Sequence, residues 1–434
     1  MLPWALAIDI VYVTRPVASN SPTESQSPSQ VPNVILYLPP GPLFHGHATP
    51  VSEDVNYDEH SQHQQRAIDK AAPSGISPQQ ALASMTYATV VTVNYRLGAV
   101  LPTTSNEETT QTHPISPPPS QSLSNPPFYQ YPTPIHDTLA AFDWIQTNLH
   151  PTNLGIIGSH IGGSLALMLA LTEAQSVKAV ASIMPICDWP GLDEYCTTAQ
   201  PSRIASETLG KTTKRASKKK TLRANAPSDL VPLLAAREAL FASPERCFDA
   251  FASPVLLLRS AGRDVPPAFP KYTTGPGYPV PVLKDSRHAG DGSLLDPEFD
   301  PLDAEGDGFG EEGGHQTIRR RKALSRWPPY GLDYGVAGRG WGGNGVKRLE
   351  VTLPWVRVYI DGAEGKENGT VLADQGEEMV SVMRRACFFG REKGFGERRV
   401  GLVRNLGVMG SGLELGEDVG GWFGGIFDGR IRDE

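Results

Sequence analysis

Between Leu154 and Glu173 the chain reads LGIIGSHIGGSLALMLALTE, an apolar run that turns on glycine and continues as an unbroken Ala/Leu segment. Such a run, too short for a helix and followed at once by strong helix formers, specifies a buried strand entering a long helix. Gly158, Ser159, His160, Ile161 and Gly162 have the spacing of the G-x-S-x-G nucleophile elbow. In that motif small residues flank a strained turn, so that the middle side chain stands above the sheet over a helix N-terminus. The glycine frame is present, and His160 occupies the serine position.

The flanking segments extend the pattern. Asp9 to Pro16 alternates as a modest first strand, while NVILYL (Asn33 to Leu38) and TVVTVNY (Thr89 to Tyr95) are continuous apolar runs, as strands buried on both faces require. Pro78 to Met85 suggests a short helix. HDTLAAFDWIQTNL places Leu139, Phe142, Ile145 and Leu149 on one helical stripe ahead of the elbow. Val177 to Ile186, Pro254 to Ser260 and LPWVRVYI (Leu353 to Ile360) read as further strands, the last of them closing the sheet, and Gln375 to Phe389 reads as the final helix. Strands alternating with helices predict an α/β fold: a doubly wound, mostly parallel sheet with right-handed crossovers.

Composition divides the rest. Thr103 to Pro134 is rich in Pro, Ser, Thr and Gln, and Ala268 to Ala323 is acidic and rich in Gly and Pro, so both are expected to be flexible insertions. Residues 188–252 break the alternation and are expected to form a helical cap. The expected organisation is one domain over 1–390 and a loose, Gly-rich tail over 391–434, mobile after about Val400.

Net charge of −8 and a pI near 5.7 argue against nucleic acid as a partner. The first residues lack a basic n-region, and their apolar run is broken by Pro3 and Asp9 short of signal or spanning length, so no membrane span is expected. Cys187, Cys196, Cys247 and Cys387 have no metal or disulfide spacing and read as reduced, mostly buried thiols. His45, His47, His60 and His63 fit no standard ligand set and read as loop residues; no metal and no cofactor is expected. A cytoplasmic location follows, with the basic run Lys211 to Arg223 leaving a nuclear one open.

VNYRL (Val93 to Leu97), YPTPIHDTLAAFDWI (Tyr131 to Ile145), GSHIGGSLA (Gly158 to Ala166) and SAGRD (Ser260 to Asp264) stand in a fixed order. In that order they resemble the motifs of the α/β-hydrolase fold, specifically its hormone-sensitive-lipase-like (fold-3) esterase group. The resemblance covers about Asn33 to Gly390 without the insertions. It implies a Ser, Asp, His triad in chain order and an oxyanion hole formed by an HGGG-like loop and the amide after the nucleophile.

Carried onto this chain, the nucleophile position is His160 and the carboxylate is Asp264, which should orient a histidine after the last strand. No histidine occurs from Ile360 to Glu434, and His288 and His315 lie within an expected insertion. Where the family has HGGG stand Pro39, Pro40, Gly41 and Pro42. Proline has no N–H to donate, so Gly41 and Ile161 are the amides left for an oxyanion or ligand pocket bounded by Gly162. Ser159 precedes the apex and Ser164 lies in the helix, so neither is a displaced nucleophile.

Two readings follow. One is a hydrolase-fold protein impaired as a serine esterase, binding a small apolar or acyl ligand or a protein partner. The other is an active esterase-like hydrolase using His160 or a rearranged site, since neutral imidazole is a capable nucleophile near pH 7.

Overall fold

The computed structural model describes residues 11–14, 32–41, 77–99, 127–198, 226–259, 265–275, 278–283, 327, 352–362, 369–388, 393–404 and 412–431. In chain order the elements begin with strands β1 (Val11–Thr14) and β2 (Asn33–Leu38), helix α1 (Pro78–Thr86), and strands β3 (Thr89–Val93), β4 (Gly98–Ala99) and β5 (Phe128–Tyr129). Helix α2 (Thr133–Asn148), β6 (Asn153–Ser159), α3 (Ile161–Thr172), β7 (Ala179–Ile183), β8 (Thr197–Thr198) and α4 (Leu230–Leu240) follow. Then come β9 (Tyr272–Gly275), β10 (Tyr278–Leu283), β11 (Trp355–Ile360), α5 (Val371–Cys387), α6 (Phe395–Arg399), β12 (Val400–Arg404) and α7 (Gly412–Phe427).

The central sheet has seven strands in the order β1-β3-β2-β6-β7-β11-β12. All neighbours are parallel except β1, which runs antiparallel to β3. From β2 the chain winds outward to β3, whereas from β6 it winds the other way through β7 and β11 to β12. The order therefore reverses between β2 and β6, and a crevice opens beyond the carboxyl ends of those two strands.

Period-two alternation divides the strand side chains between two cores. Val34, Leu36, Leu38, Leu154 and Ile156 pack with Phe142 and Ile145 of α2, with α3, and with Met379 and Met383 of α5. On the other face Ile35, Val90, Ile157, Ala179 and Tyr359 pack with Leu82 of α1 and with Val419, Trp422, Phe423 and Ile426 of α7. Helix α3 is buried from Ile161 to Leu171, which explains why its sequence is apolar on every side.

Four expectations need correction. First, the C-terminal segment is not a loose tail. Residues 400–404 pair in parallel with β11, so β12 rather than β11 closes the sheet, and α7 covers the second face. Its glycines suggested looseness, but Val419, Trp422, Phe423, Ile426 and Phe427 fall at i, i+3, i+4, i+7 and i+8, one apolar helical stripe. Second, β9 and β10 form a three-stranded sheet with β8, so the expected insertion at 268–323 begins with ordered strands; residues 284–323 lie outside the described residues. Third, of the insertion expected at 103–134, residues 103–126 lie outside the described residues, and the rest is built in. Tyr131 is buried and stacks on Phe241 with ring centroids 4.5 Å apart.

Fourth, Pro254 to Ser260 is not a strand: Pro254–Leu257 is a 3-10 turn. Pro254, Val255, Leu256 and Leu258 are all buried, and so nearly continuous a buried run has no periodicity to tell strand from turn. Its amides close locally, Leu256 on Ser253 and Leu258 on Val255, while the Val255 amide reaches the Cys187 carbonyl.

Within 188–252, the turn Pro190–Tyr195 and helix α4 are joined by a buried ion pair, with Arg237 Nη2 2.7 Å from Asp193 Oδ1. Residues 199–225, including the basic run, lie outside the described residues, as do the histidines at 45, 47, 60, 63, 288 and 315. Among the described residues no helix is long and apolar enough to cross a membrane, and no cluster of three or more His, Cys, Asp or Glu side chains is placed to hold a metal ion.

Candidate functional site

Strand β6 ends at Ser159 and α3 begins at Ile161, so the change from strand to helix is made by one residue. That residue is His160, with φ 49° and ψ −110°. A side chain at such angles stores about 1–3 kcal/mol of backbone strain, so the surroundings must over-determine the turn. They do. The His160 amide donates to the Ile183 carbonyl at 2.9 Å, and its carbonyl accepts from the Ser164 amide at 3.1 Å and the Ile186 amide at 3.4 Å.

The glycines around it are required by contact. A Cβ on Gly158 would lie 2.1 Å from the Gly162 carbonyl oxygen, and one on Gly162 would lie 2.3 Å from the Leu38 carbonyl oxygen. Ser164 is committed to the scaffold, its hydroxyl donating to the His160 and Ile186 carbonyls. Ser159 is the last residue of β6, opposite Ile183. Both serines thus stay out of the apex position, where the structure puts the imidazole of His160, partly exposed.

Gly41 lies at the carboxyl end of β2, on the other side of the crevice. Its φ of 85° favours glycine, and a Cβ there would meet the Tyr95 hydroxyl at 3.2 Å and Ile161 Cδ1 at 3.7 Å. The structure thus brings Gly41, Ile161 and Gly162 together beside His160. Tyr95, which the sequence reading did not single out as a site residue, holds this arrangement: its hydroxyl donates to the Pro39 carbonyl at 2.6 Å. Burial pushes its pKa well above the ordinary tyrosine value, with nearby Tyr131 adding to the rise and the Gly162 backbone opposing it, so the group stays a donor. The signal for Tyr95 was present in VNYRL, where a tyrosine closes a buried strand.

Among the described residues histidine is scarce around the crevice. Besides His160, the histidines in the described residues are His136, exposed near the start of α2, and His150, exposed just before the opposite end of β6. Asp264 lies outside the described residues, and the segment leading to it is not a strand of the central sheet.

The strand next to β7 is β11, and the residue after it is Asp361, a carboxylate the sequence reading passed over. Its Oδ1 is buried without a hydrogen-bond partner among the described residues. The Asp361 amide donates to Met184 Sδ at 3.1 Å, and the Met184 amide to the Tyr359 carbonyl at 2.8 Å. Met184 directly follows β7 and itself has a positive φ of 46°. Two strand spacings, roughly 10 Å, separate β6 from β11, so Asp361 shares the carboxyl edge of the sheet with His160.

The segment after β7 is fixed by Gln375 of α5. Its Oε1 accepts from the Cys187 and Asp188 amides at 2.9 and 3.1 Å, and its Nε2 donates to the Asp188 carbonyl at 2.9 Å. The cysteines offer no alternative nucleophile. Burial raises all four thiols, Cys196 and Cys247 to about 12, so none is a thiolate near neutral pH.

Residues 122–265 match a family model described as alpha/beta hydrolase fold. No curated protein matches the chain. Among solved structures it is similar to carboxyl esterase 2 from the mycorrhizal fungus Tuber melanosporum, at 13% identity over 95% of this chain and 81% of that one, with a TM-score of 0.41. It is also similar to brefeldin A esterase, a bacterial homologue of human hormone sensitive lipase, at 14% identity over 97% and 73% of the two chains and a TM-score of 0.41. A third is EstE1, a thermostable carboxylesterase cloned from a metagenomic library, at 15% identity over 93% and 81% and a TM-score of 0.38. The matched residues 122–265 contain β6, the strained strand-to-helix turn and β7, so the elbow segment at the middle of the mostly parallel sheet is the part of the chain that matches the alpha/beta hydrolase fold.

Proposed function

We propose that this protein is impaired as a serine esterase and uses the crevice between β2 and β6 to bind a small apolar or acyl ligand, with residues 188–252 as its cap. The observation that carries this reading is His160 at the elbow apex, in the backbone conformation an elbow nucleophile needs but without a hydroxyl. The rest of the chemistry is thin. No histidine follows β11 or β12 in the sequence, and Pro39 and Pro40 can donate no amide. Losing the serine of a comparable triad costs about 10⁶ in turnover, and losing one oxyanion donor about 10²–10³. The amides of Gly41 and Ile161, beside a helix N-terminus, suit the carbonyl of an acyl group or its carboxylate. The acidic balance of the chain supports a cytoplasmic protein that takes no nucleic acid as partner.

The second reading, an active esterase-like hydrolase, draws on the same residue. Imidazole at a strained apex is a nucleophile, and the Asp361 carboxylate stands at the same sheet edge, in place of the expected Asp264. One experiment separates the two: hydrolysis of p-nitrophenyl acetate and butyrate by the natural protein and by His160→Ala. The binding reading expects no turnover above background in either form, with loss of acyl-ligand binding in the variant. Turnover by the natural protein that disappears in a folded His160→Ala would make His160 catalytic.

A further inference from the structure

Helix α5 begins with its first amides satisfied by side chains from two parts of the chain. The Thr370 hydroxyl accepts from the Ala373 amide at 3.2 Å, as an ordinary N-cap does. The Val371 and Leu372 amides donate instead to the two carboxylate oxygens of Asp229, at 2.9 and 3.1 Å. Asp229 is itself the N-cap of α4, so a residue from within 188–252 closes the N-terminus of a core helix.

One turn further along α5 stands Gln375, 4% exposed, whose three hydrogen bonds all go to the backbone of residues 187 and 188. The preceding residues wrap the elbow apex. The Ile183 carbonyl accepts from the His160 amide at one end, and the Ile186 amide donates to the His160 carbonyl at the other. Strand pairing holds the first end, since Ile183 lies opposite Ser159 of β6 and Tyr359 of β11. Ile186 lies beyond β7, where its carbonyl accepts from the Ser164 hydroxyl and Gln375 grips the two residues that follow.

A buried glutamine in such a place can serve only to satisfy backbone groups, and its removal would then lower stability without reaching the elbow. His160 makes a further role testable. Its φ of 49° and ψ of −110° persist only while the surroundings over-determine the turn.

We propose that Gln375 is a positioning residue for His160, acting through the Ile186 amide, and that Asp229 sets the place of Gln375 from α4. The geometry of the elbow then depends on how α4 docks against α5, because a site is held in place by the hydrogen bonds behind it. This rests on the crevice reading for its effect on ligand affinity, and on the hydrogen bonds alone for its effect on His160.

The test follows the imidazole ring signals in the NMR spectrum of histidine-labelled protein, the His160 signal being the one that His160→Ala removes. Gln375→Leu is expected to displace that signal and to leave those of His136 and His150 in place. Asp229→Asn, which weakens the bonds to α5 from the far end, should displace it by less, and decides the matter if Gln375→Leu does not fold. Leu82→Ala, in the core on the other face of the sheet, is the control for lost stability and should leave the signal unmoved. Octanoate, as acyl probe, should bind Gln375→Leu at least about tenfold more weakly than the natural protein, a loss of about 1.4 kcal/mol. Absence of octanoate binding by the natural protein would count against the crevice reading, with the His160 signal still deciding the positioning. An unmoved His160 signal in folded Gln375→Leu and Asp229→Asn, or an equal displacement in Leu82→Ala, would overturn the proposal.

Discussion

Two regions of this molecule are rich in glycine, for opposite reasons. At the elbow, Gly158 and Gly162 have no room for a side chain: an added Cβ would strike backbone carbonyls at 2.1 and 2.3 Å. In α7, Gly421 and Gly424 would meet nothing within 4 Å, and the helix is held instead by its aromatic stripe. The same residue thus marks a position dictated by sterics in one place and a tolerated one in the other. At the elbow, the frame is required by the packing of β2, β6 and α3 whatever residue sits at the apex, so its presence reports the fold and not the chemistry.

The largest effect is expected where the aromatic stripe is cut. Phe423→Ala removes a fully buried ring that packs on Gly155 of β6, and should cost about 3–5 kcal/mol in urea unfolding. A near-neutral result would return the C-terminal segment to the status of a loose tail. Gly158→Ala should cost about 3 kcal/mol, since the nearest obstacle is backbone that cannot swing aside. If it cost less than a surface change does, the elbow glycines would be tolerated rather than required. Gly421→Ala, in open space inside a helix, should raise stability by about 0.5–1 kcal/mol, the usual difference in helix propensity. The opposite signs of the two glycine substitutions are the sharpest form of the comparison.

Much of the fold was legible because its central strands are buried on both faces and its helices, α3 apart, are buried on one. Asn33 to Leu38 was read with its observed bounds, and the elbow was placed to the residue, since apolar runs of that length flanked by glycine or proline admit few other structures. The misreadings share one cause: local composition was given more weight than tertiary packing. Glycine obscured the stripe of α7, proline concealed β10, where Pro279 and Pro281 sit within a short strand, and Pro254 to Leu257 looked extended because it is apolar and, up to Leu256, buried.

The site was legible in part. Gly41, Ile161 and Gly162 lie near one another next to His160, because they directly follow the carboxyl ends of the neighbouring strands β2 and β6. Asp361 and Tyr95 were passed over because their roles depend on which strands are neighbours, and that information is not local to either residue.

The central claim is that the elbow frame survives without the groups that would activate a nucleophile, and installing the missing hydroxyl tests it most directly. His160→Ser should fold, yet remain unlabelled by a serine-directed phosphonate and show no turnover of p-nitrophenyl butyrate above background, because no histidine follows β11 in the sequence and none among the described residues stands ready to take its proton. Stoichiometric labelling with ester turnover in that single variant would contradict the account, since it would reveal a working base and oxyanion hole around the apex.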